Sequence, residues 1–326
     1  MINLDLSVEK INQVYLKIKP YINRTPLIKA TKIIDEYFAT KLFLKCEFFQ
    51  KSGSFKARGA INNVVNQDIQ KINKGITAVS AGNHAIASSL VANLFNLNNK
   101  IFLYETANEH RIRLCKNYGA NIIFTNPRQA FIDAKNAQKE GYYFIHPFDG
   151  PHTLQGSATL GLEISDFFKS KNLNLDYIII SVGGGGLISG VSSYIKQILP
   201  NTKIIGVEPE GAQGLNQSLK INKPIENVKV NSIADSLSAP LHMKYSFDIA
   251  KQFVDEMVTV TDNQMIEFMI FGYEKFKLML EPACVAGLAA IKYKLQNKLT
   301  NKNTLLILCG SNIDLKSWNS IINYKR

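Results

Sequence analysis

Cysteine is scarce in this sequence. Its four residues, Cys46, Cys115, Cys284 and Cys309, share none of the paired spacings that hold a metal. At least three lie among apolar neighbours, so buried free thiols in a reducing compartment are expected. Long apolar runs are missing too, and no stretch reaches the roughly 20 residues needed to cross a bilayer. The start, Met1-Ile2-Asn3-Leu4-Asp5-Leu6, has no basic region followed by an apolar core. A cytoplasmic protein without a membrane partner is the expectation. Acidic residues are outnumbered, 26 against 38 Lys+Arg, for a formal charge of +12. The basic residues are nevertheless scattered, as in Gln70-Lys71-Ile72-Asn73-Lys74, with no dense run interleaved with aromatics. That argues for a solvated basic surface and against a nucleic-acid partner. There is no internal repeat and no low-complexity segment.

What remains is an ordinary globular composition, 46% hydrophobic over 326 residues, long enough for two domains. Residues 7–19 read as an amphipathic helix capped by Ser7 and stopped by Pro20. An extended segment from Thr25, a short helix to Phe38 and an apolar strand from Leu42 follow. From Gly75 strands and helices alternate: strands at 76–80, 100–104, 120–125 and 142–145, helices at 83–95, 109–118 and 129–140. His146-Pro147-Phe148-Asp149-Gly150-Pro151 is a turn-rich crossing. The pattern then restarts with helices at 153–168, 187–199, 263–276 and 284–295, and strands at 177–182, 203–208 and 304–309. Such alternation implies mainly parallel, doubly wound sheets.

Two stretches carry chemistry. The first is Lys51-Ser52-Gly53-Ser54-Phe55-Lys56-Ala57-Arg58-Gly59-Ala60, between that apolar strand and residues at helical spacing. Ser52 or Ser54 is placed to cap the helix. Lys56 then falls in the first turn, where the dipole disfavours a cation and the amine loses its proton more easily. A neutral amine in a cleft is suited to a Schiff base, although a helix-start lysine can also be merely solvated. The second is Ile178-Ile179-Ile180-Ser181-Val182, a buried-strand run, followed at once by Gly183-Gly184-Gly185-Gly186 and a helix start at Leu187. Successive glycine N–H groups at a helix N-terminus make a phosphate cradle. No Gly-Lys-Ser/Thr follows, and Ser189 stands where GxGxxG needs its last glycine, so neither nucleotide motif fits. An aldehyde-binding lysine with a lone phosphate cradle points to pyridoxal 5'-phosphate.

With these residues in view, the chain resembles the fold-type II pyridoxal-phosphate enzymes, of the tryptophan synthase β-like fold. The likeness is nearest to the serine/threonine dehydratase and serine racemase family. The likeness rests on 54–60, Ser80-Ala81-Gly82-Asn83-His84-Ala85, 183–187, Glu281-Pro282-Ala283 and Cys309-Gly310-Ser311-Asn312, all in the family's order. The resemblance implies an α/β fold of two open sheet domains with the active site between them. A large domain would comprise 1–67 and 147–326, with a small domain, 68–146, inserted. It implies a lyase that eliminates ammonia from a small amino acid, L-threonine or L-serine, in a homodimer or homotetramer. Serine racemase or a dehydratase of a related hydroxy amino acid such as hydroxyaspartate is the alternative.

The same resemblance assigns roles. Lys56 is the catalytic amine; Phe55 lies beneath the cofactor ring or simply packs the core. Gly183, Gly184, Gly185, Gly186 and Leu187 hold the phosphate. Ser80, Ala81, Gly82, Asn83 and His84 take the substrate carboxylate, with Asn83 also on the ring oxygen; local packing is the stronger reading for His84. Cys309 faces the pyridine nitrogen, where a thiol supplies no fixed negative charge. That favours loss of a β-leaving group over transamination; an inert buried thiol is the other reading. Glu281 is either a helix cap or a cleft residue, and residues 232–240 line the cleft. Two departures stand out. Ala81 replaces the serine whose hydroxyl serves racemases, so racemisation is expected to be weak. Some relatives bind a cation; here Glu208 and the Ala212 carbonyl are the candidate ligands, but Gly214 replaces the expected Asp. The chain ends at Arg326, leaving no expected room for the regulatory domain of the feedback-inhibited dehydratases.

Overall fold

The computed structural model describes residues 4–80 and 82–324. Ser7 caps α1 (Val8–Ile18) by accepting from the Lys10 N–H at 3.2 Å. At Pro20 the helix gives way to a single 3-10 turn. Then come β1 (Leu27–Lys29), α2 (Lys32–Phe38), β2 (Lys41–Cys46) and α3 (Lys56–Val65). The next seven elements alternate: β3 (Ile76–Val79), α4 (Asn83–Leu94), β4 (Asn99–Tyr104), α5 (Glu109–Asn117), β5 (Ile122–Thr125), α6 (Pro127–Lys139) and β6 (Tyr143–Phe144). Their strands form a parallel sheet in the order β5-β4-β3-β6.

The chain continues through α7 (Pro151–Ser170), β7 (Tyr177–Ser181), α8 (Gly186–Ile198), β8 (Lys203–Pro209), α9 (Gly214–Ile221) and α10 (Lys244–Phe253). It closes with β9 (Glu256–Val260), α11 (Asp262–Phe271), α12 (Pro282–Ala290), α13 (Gln296–Leu299), β10 (Asn303–Leu308) and α14 (Leu315–Ile322). The second sheet has the order β1-β2-β10-β7-β8-β9 and is parallel except where β1 runs against β2. Its central strands are covered on both faces, so Ile178–Ile180 and Leu305–Leu308 are uninterrupted apolar runs with no exposed surface. The strand and helix pattern read from the sequence is present. Absent from that reading are α9, α10, β9, α13 and α14. β9 lies at the sheet edge, and its Glu256–Thr259 stretch is half-buried, so it shows no apolar run.

One expectation fails. Neither Ser52 nor Ser54 caps α3. The residue at the helix start is Phe55, which makes no side-chain cap bond. Its N–H instead donates to the Cys309 carbonyl at 3.0 Å, and Ser54 forms a bridge with Gly310. The end of β10 thus fixes the backbone ahead of the helix and turns the serine side chains elsewhere. Ser52 Oγ donates to the Ser54 carbonyl at 3.4 Å.

A buried ionic cluster holds α3 in place. Arg58 donates to Glu47 at 2.8 Å and to Glu163 on α7 at 2.8 Å; Lys45 on β2 reaches the other Glu163 oxygen at 2.6 Å. All four side chains are at most 1% exposed. Burial alone would pull the guanidinium's pKa down, but the two carboxylates outweigh it and push it up. Two cations face two carboxylates, so the cluster is formally neutral and its donors are matched.

Candidate active site

Lys56 opens α3 directly behind the end of β10, and the glycine loop follows β7, the neighbour of β10 in the sheet. Both therefore meet at the carboxyl ends of parallel strands. Between them is a cavity of about 120 Å³ whose far wall comes from the four-stranded sheet.

Lys56 Nζ stands 5.0 Å from the centre of the Phe55 ring and donates to the Pro147 carbonyl at 2.5 Å. No carboxylate pairs with it among the described residues. Burial lowers its pKa to about 8. The sequence points to the helix dipole as the cause; in the structure burial is what lowers it. His84 and His146 lie nearby and are held neutral: burial, then the Lys56 charge, lowers each to about 3. His84 Nε2 lies 2.9 Å from the Ile145 carbonyl, a packing role consistent with the stronger reading.

The glycine loop is built around Phe148. A Cβ on Gly184 would sit 2.1 Å from the Phe148 ring. Gly185 has φ +90°, a backbone few side chains allow, and α8 starts from it. The first N–H groups of α8 have no partner within the helix and face the loop.

Ser80, Gly82, Asn83 and His84 line the cavity at the start of α4. Ser80 Oγ accepts from the Gly82 N–H at 3.0 Å, which shapes the turn. Ala81 lies outside the described residues. Asn83 donates to Glu281 at 2.8 Å and accepts from Asn312 Nδ2 at 2.7 Å. Glu281 precedes α12 without capping it by a side-chain bond, and it does not line the cavity. Its carboxylate sits behind Asn83, pushed up by burial and pulled down by Arg111 at 3.3 Å. Cys309 closes the floor, 5% exposed, with Sγ 3.8 Å from the Ala283 carbonyl.

Arg111 has no motif to announce it. It projects from α5 to the cavity wall, donates to Asp235 and Glu281, and reaches the Asn312 carbonyl at 3.0 Å. It thereby joins the four-stranded-sheet side to the segment 235–240, which lines the cavity. Ser181 and Phe148 are also on the wall and carry no sequence signal.

Of the candidate cation ligands, Glu208 accepts the backbone N–H groups of Leu215 and Asn216 at 2.7 and 2.9 Å, at the start of α9. Burial pushes its carboxyl up to about 7 against those bonds. Among the described residues no group of three or more His, Cys, Asp or Glu could hold a metal. The four cysteines are free and buried. No helix among the described residues is long and apolar enough to cross a membrane.

The family model for pyridoxal-phosphate dependent enzymes matches residues 18–310. The chain belongs to that family. This pyridoxal-phosphate enzyme is 36% identical to a phenylserine dehydratase of Ralstonia pickettii, covering 91% of this chain and 90% of the relative. An L-threonine ammonia-lyase of Thermotoga maritima is 32% identical over 98% of this chain and 78% of its own length. The structure of maize serine racemase superposes with a TM-score of 0.88 at 32% identity, covering 97% of both chains. The two-sheet α/β architecture is that of fold-type II.

The residues fit the family's cofactor. The loop is a cradle that side chains would fill: Cβ atoms on Gly183 and Gly184 would meet the Ser236 carbonyl at 3.0 Å and the Phe148 ring. Ser181 Oγ, on the cavity wall, is buried with no hydrogen-bond partner among the described residues. A buried hydroxyl in that state implies a polar occupant. Ser54 Oγ is in the same state.

Proposed function

We propose that this protein is a threonine/serine ammonia-lyase, releasing 2-oxobutanoate from L-threonine or pyruvate from L-serine, with ammonia. The observation that carries this is Lys56: a desolvated amine facing the same cavity as the four-glycine loop. Lys56 would hold the cofactor's aldehyde carbon, 183–187 its phosphate, and Phe55, Asn83 and Cys309 its ring. When bound, the cofactor supplies an electron sink that makes a substrate α-proton acidic. Lys56, whose burial brings its pKa down to about 8 and so eases loss of its proton, is suited to take that α-proton as general base. The loop 80–84 would take the substrate carboxylate on its N–H groups at the start of α4, with the His84 side chain left to its packing role. The Cys309 thiol adds no anion near the ring, in keeping with elimination.

The sheet composition supports assigning 68–146 to a small domain and 1–67 with 147–326 to a large one. On the resemblance of the sequence we place the protein in the cytoplasm as a homodimer or homotetramer.

The test is a substrate panel on the purified holoprotein with keto-acid and chirality readouts. Keto acid is expected from both amino acids. D-serine should accumulate at under about a tenth of the pyruvate rate, because Ala81 has no hydroxyl to serve the opposite face. No keto acid from either would overturn the reading, and D-serine in excess of pyruvate would favour a racemase. A second expectation concerns the amine itself. In cofactor-free protein, the rate of covalent pyridoxal-phosphate incorporation, followed by absorbance, should rise with pH through a midpoint near 8. A midpoint above 10 would show that burial does not tune Lys56.

A further inference from the structure

We propose that the wall formed by Val79, Tyr104 and Phe131 is the subsite for the substrate's β-substituent, and that it selects apolar, above all aromatic, groups. This rests on the ammonia-lyase reading and names its substrate class. Val79 ends β3 and Tyr104 ends the neighbouring β4, so both stand at the carboxyl end of the four-stranded sheet's two central strands. Phe131 joins them from α6, its ring centre 5.9 Å from that of His146. All three line the cavity. Val79 runs directly into the loop 80–84. A carboxylate seated on that loop brings the β-carbon to this wall. An aromatic group there would have ring faces and edges to pack against.

The charges on the wall argue the same way. Arg111 faces two carboxylates, Asp235 and Glu281, and a carbonyl of Asn312. His84 is neutral and bonded to Ile145. Lys56 is committed to the chemistry. Among the described lining residues, a second substrate carboxylate finds Asp235 and no unmatched cation. Hydroxyaspartate is therefore the disfavoured member of the substrate class.

The experiment compares kcat/KM of the holoenzyme for L-serine, L-threonine, L-threo-β-phenylserine and L-threo-3-hydroxyaspartate. Phenylserine should exceed serine by about tenfold or more, and hydroxyaspartate should fall below serine. Phe131→Ala should lower kcat/KM for phenylserine about tenfold while leaving serine within about threefold. Serine or hydroxyaspartate preferred over phenylserine overturns the proposal, as does an equal loss for serine and phenylserine in the variant. Binding decides the subsite separately from turnover. L-phenylalanine, read by the shift of the cofactor absorption band, should bind the wild-type holoenzyme at least about tenfold tighter than L-alanine or L-aspartate. If no substrate yields keto acid, the ammonia-lyase reading fails, yet tight phenylalanine binding still supports the subsite and weak binding still rejects it.

Discussion

Lys56→Ala should lower keto-acid release from threonine by about 10³-fold or more while leaving the fold intact. The size follows from losing both the covalent anchor and the general base in one substitution, the second alone being worth about 10²–10⁴-fold. Stability should hold because the amine makes one hydrogen bond, to the Pro147 carbonyl, and is desolvated where it sits. Removing a disfavoured buried cation leaves the melting temperature unchanged or slightly raised. Steady-state kinetics and thermal melting on the same preparation check both halves. Threonine turnover above a hundredth of wild type would remove Lys56 from the mechanism. A collapsed melting transition would show instead that the amine is structural.

The largest expected loss of stability is at Arg58, two residues further along α3. Arg58→Met should destabilise the fold by about 3–5 kcal/mol, because it strips the shared cation from two buried carboxylates. Lys45 is left to face Glu163 alone. The deficit should shrink as pH falls, since Glu163, held below the usual carboxylate range largely by Arg58 in the native cluster, loses that hold in the variant and its protonation relieves the uncompensated charge. Arg58→Lys keeps the charge but not the fork that reaches both carboxylates, so its loss should be smaller. Urea unfolding at neutral and mildly acidic pH reads all of this. A change for Arg58→Met under about 1 kcal/mol would mean the cluster contributes nothing beyond filling space.

Much of the architecture is legible because both sheets advertise themselves. Runs such as Ile178–Ile180 and Leu305–Leu308 are long, apolar and bounded by turn residues. Lys56 and the four glycines are equally visible, since each needs an unusual residue at a fixed offset from a strand. The cap of α3 was not: a serine just before a helix reads as a cap, but tethering by β10 overrides that local preference. Arg58 sits in a recognisable motif, yet a charged residue on a helix is by default assigned to water. Only the tertiary meeting of β2, α3 and α7 shows it buried. Arg111 and Asp235 lie 124 positions apart and share no pattern that links them. Glu208 reads as a ligand because its neighbours resemble a cation loop, while the nearby start of α9 claims its oxygens.

The guanidinium of Arg111 grips two acids of very different exposure. The Asp235 side chain is 56% open to water, whereas that of Glu281 is 1% open. Added electrolyte should therefore weaken one grip and leave the other nearly untouched. Moderate ionic strength would loosen the 235–240 rim of the cleft while the deeper tie keeps α5 seated against the Asn83 and Asn312 pair. Access to the cavity then becomes a property of the surrounding salt, while the arrangement at its floor does not.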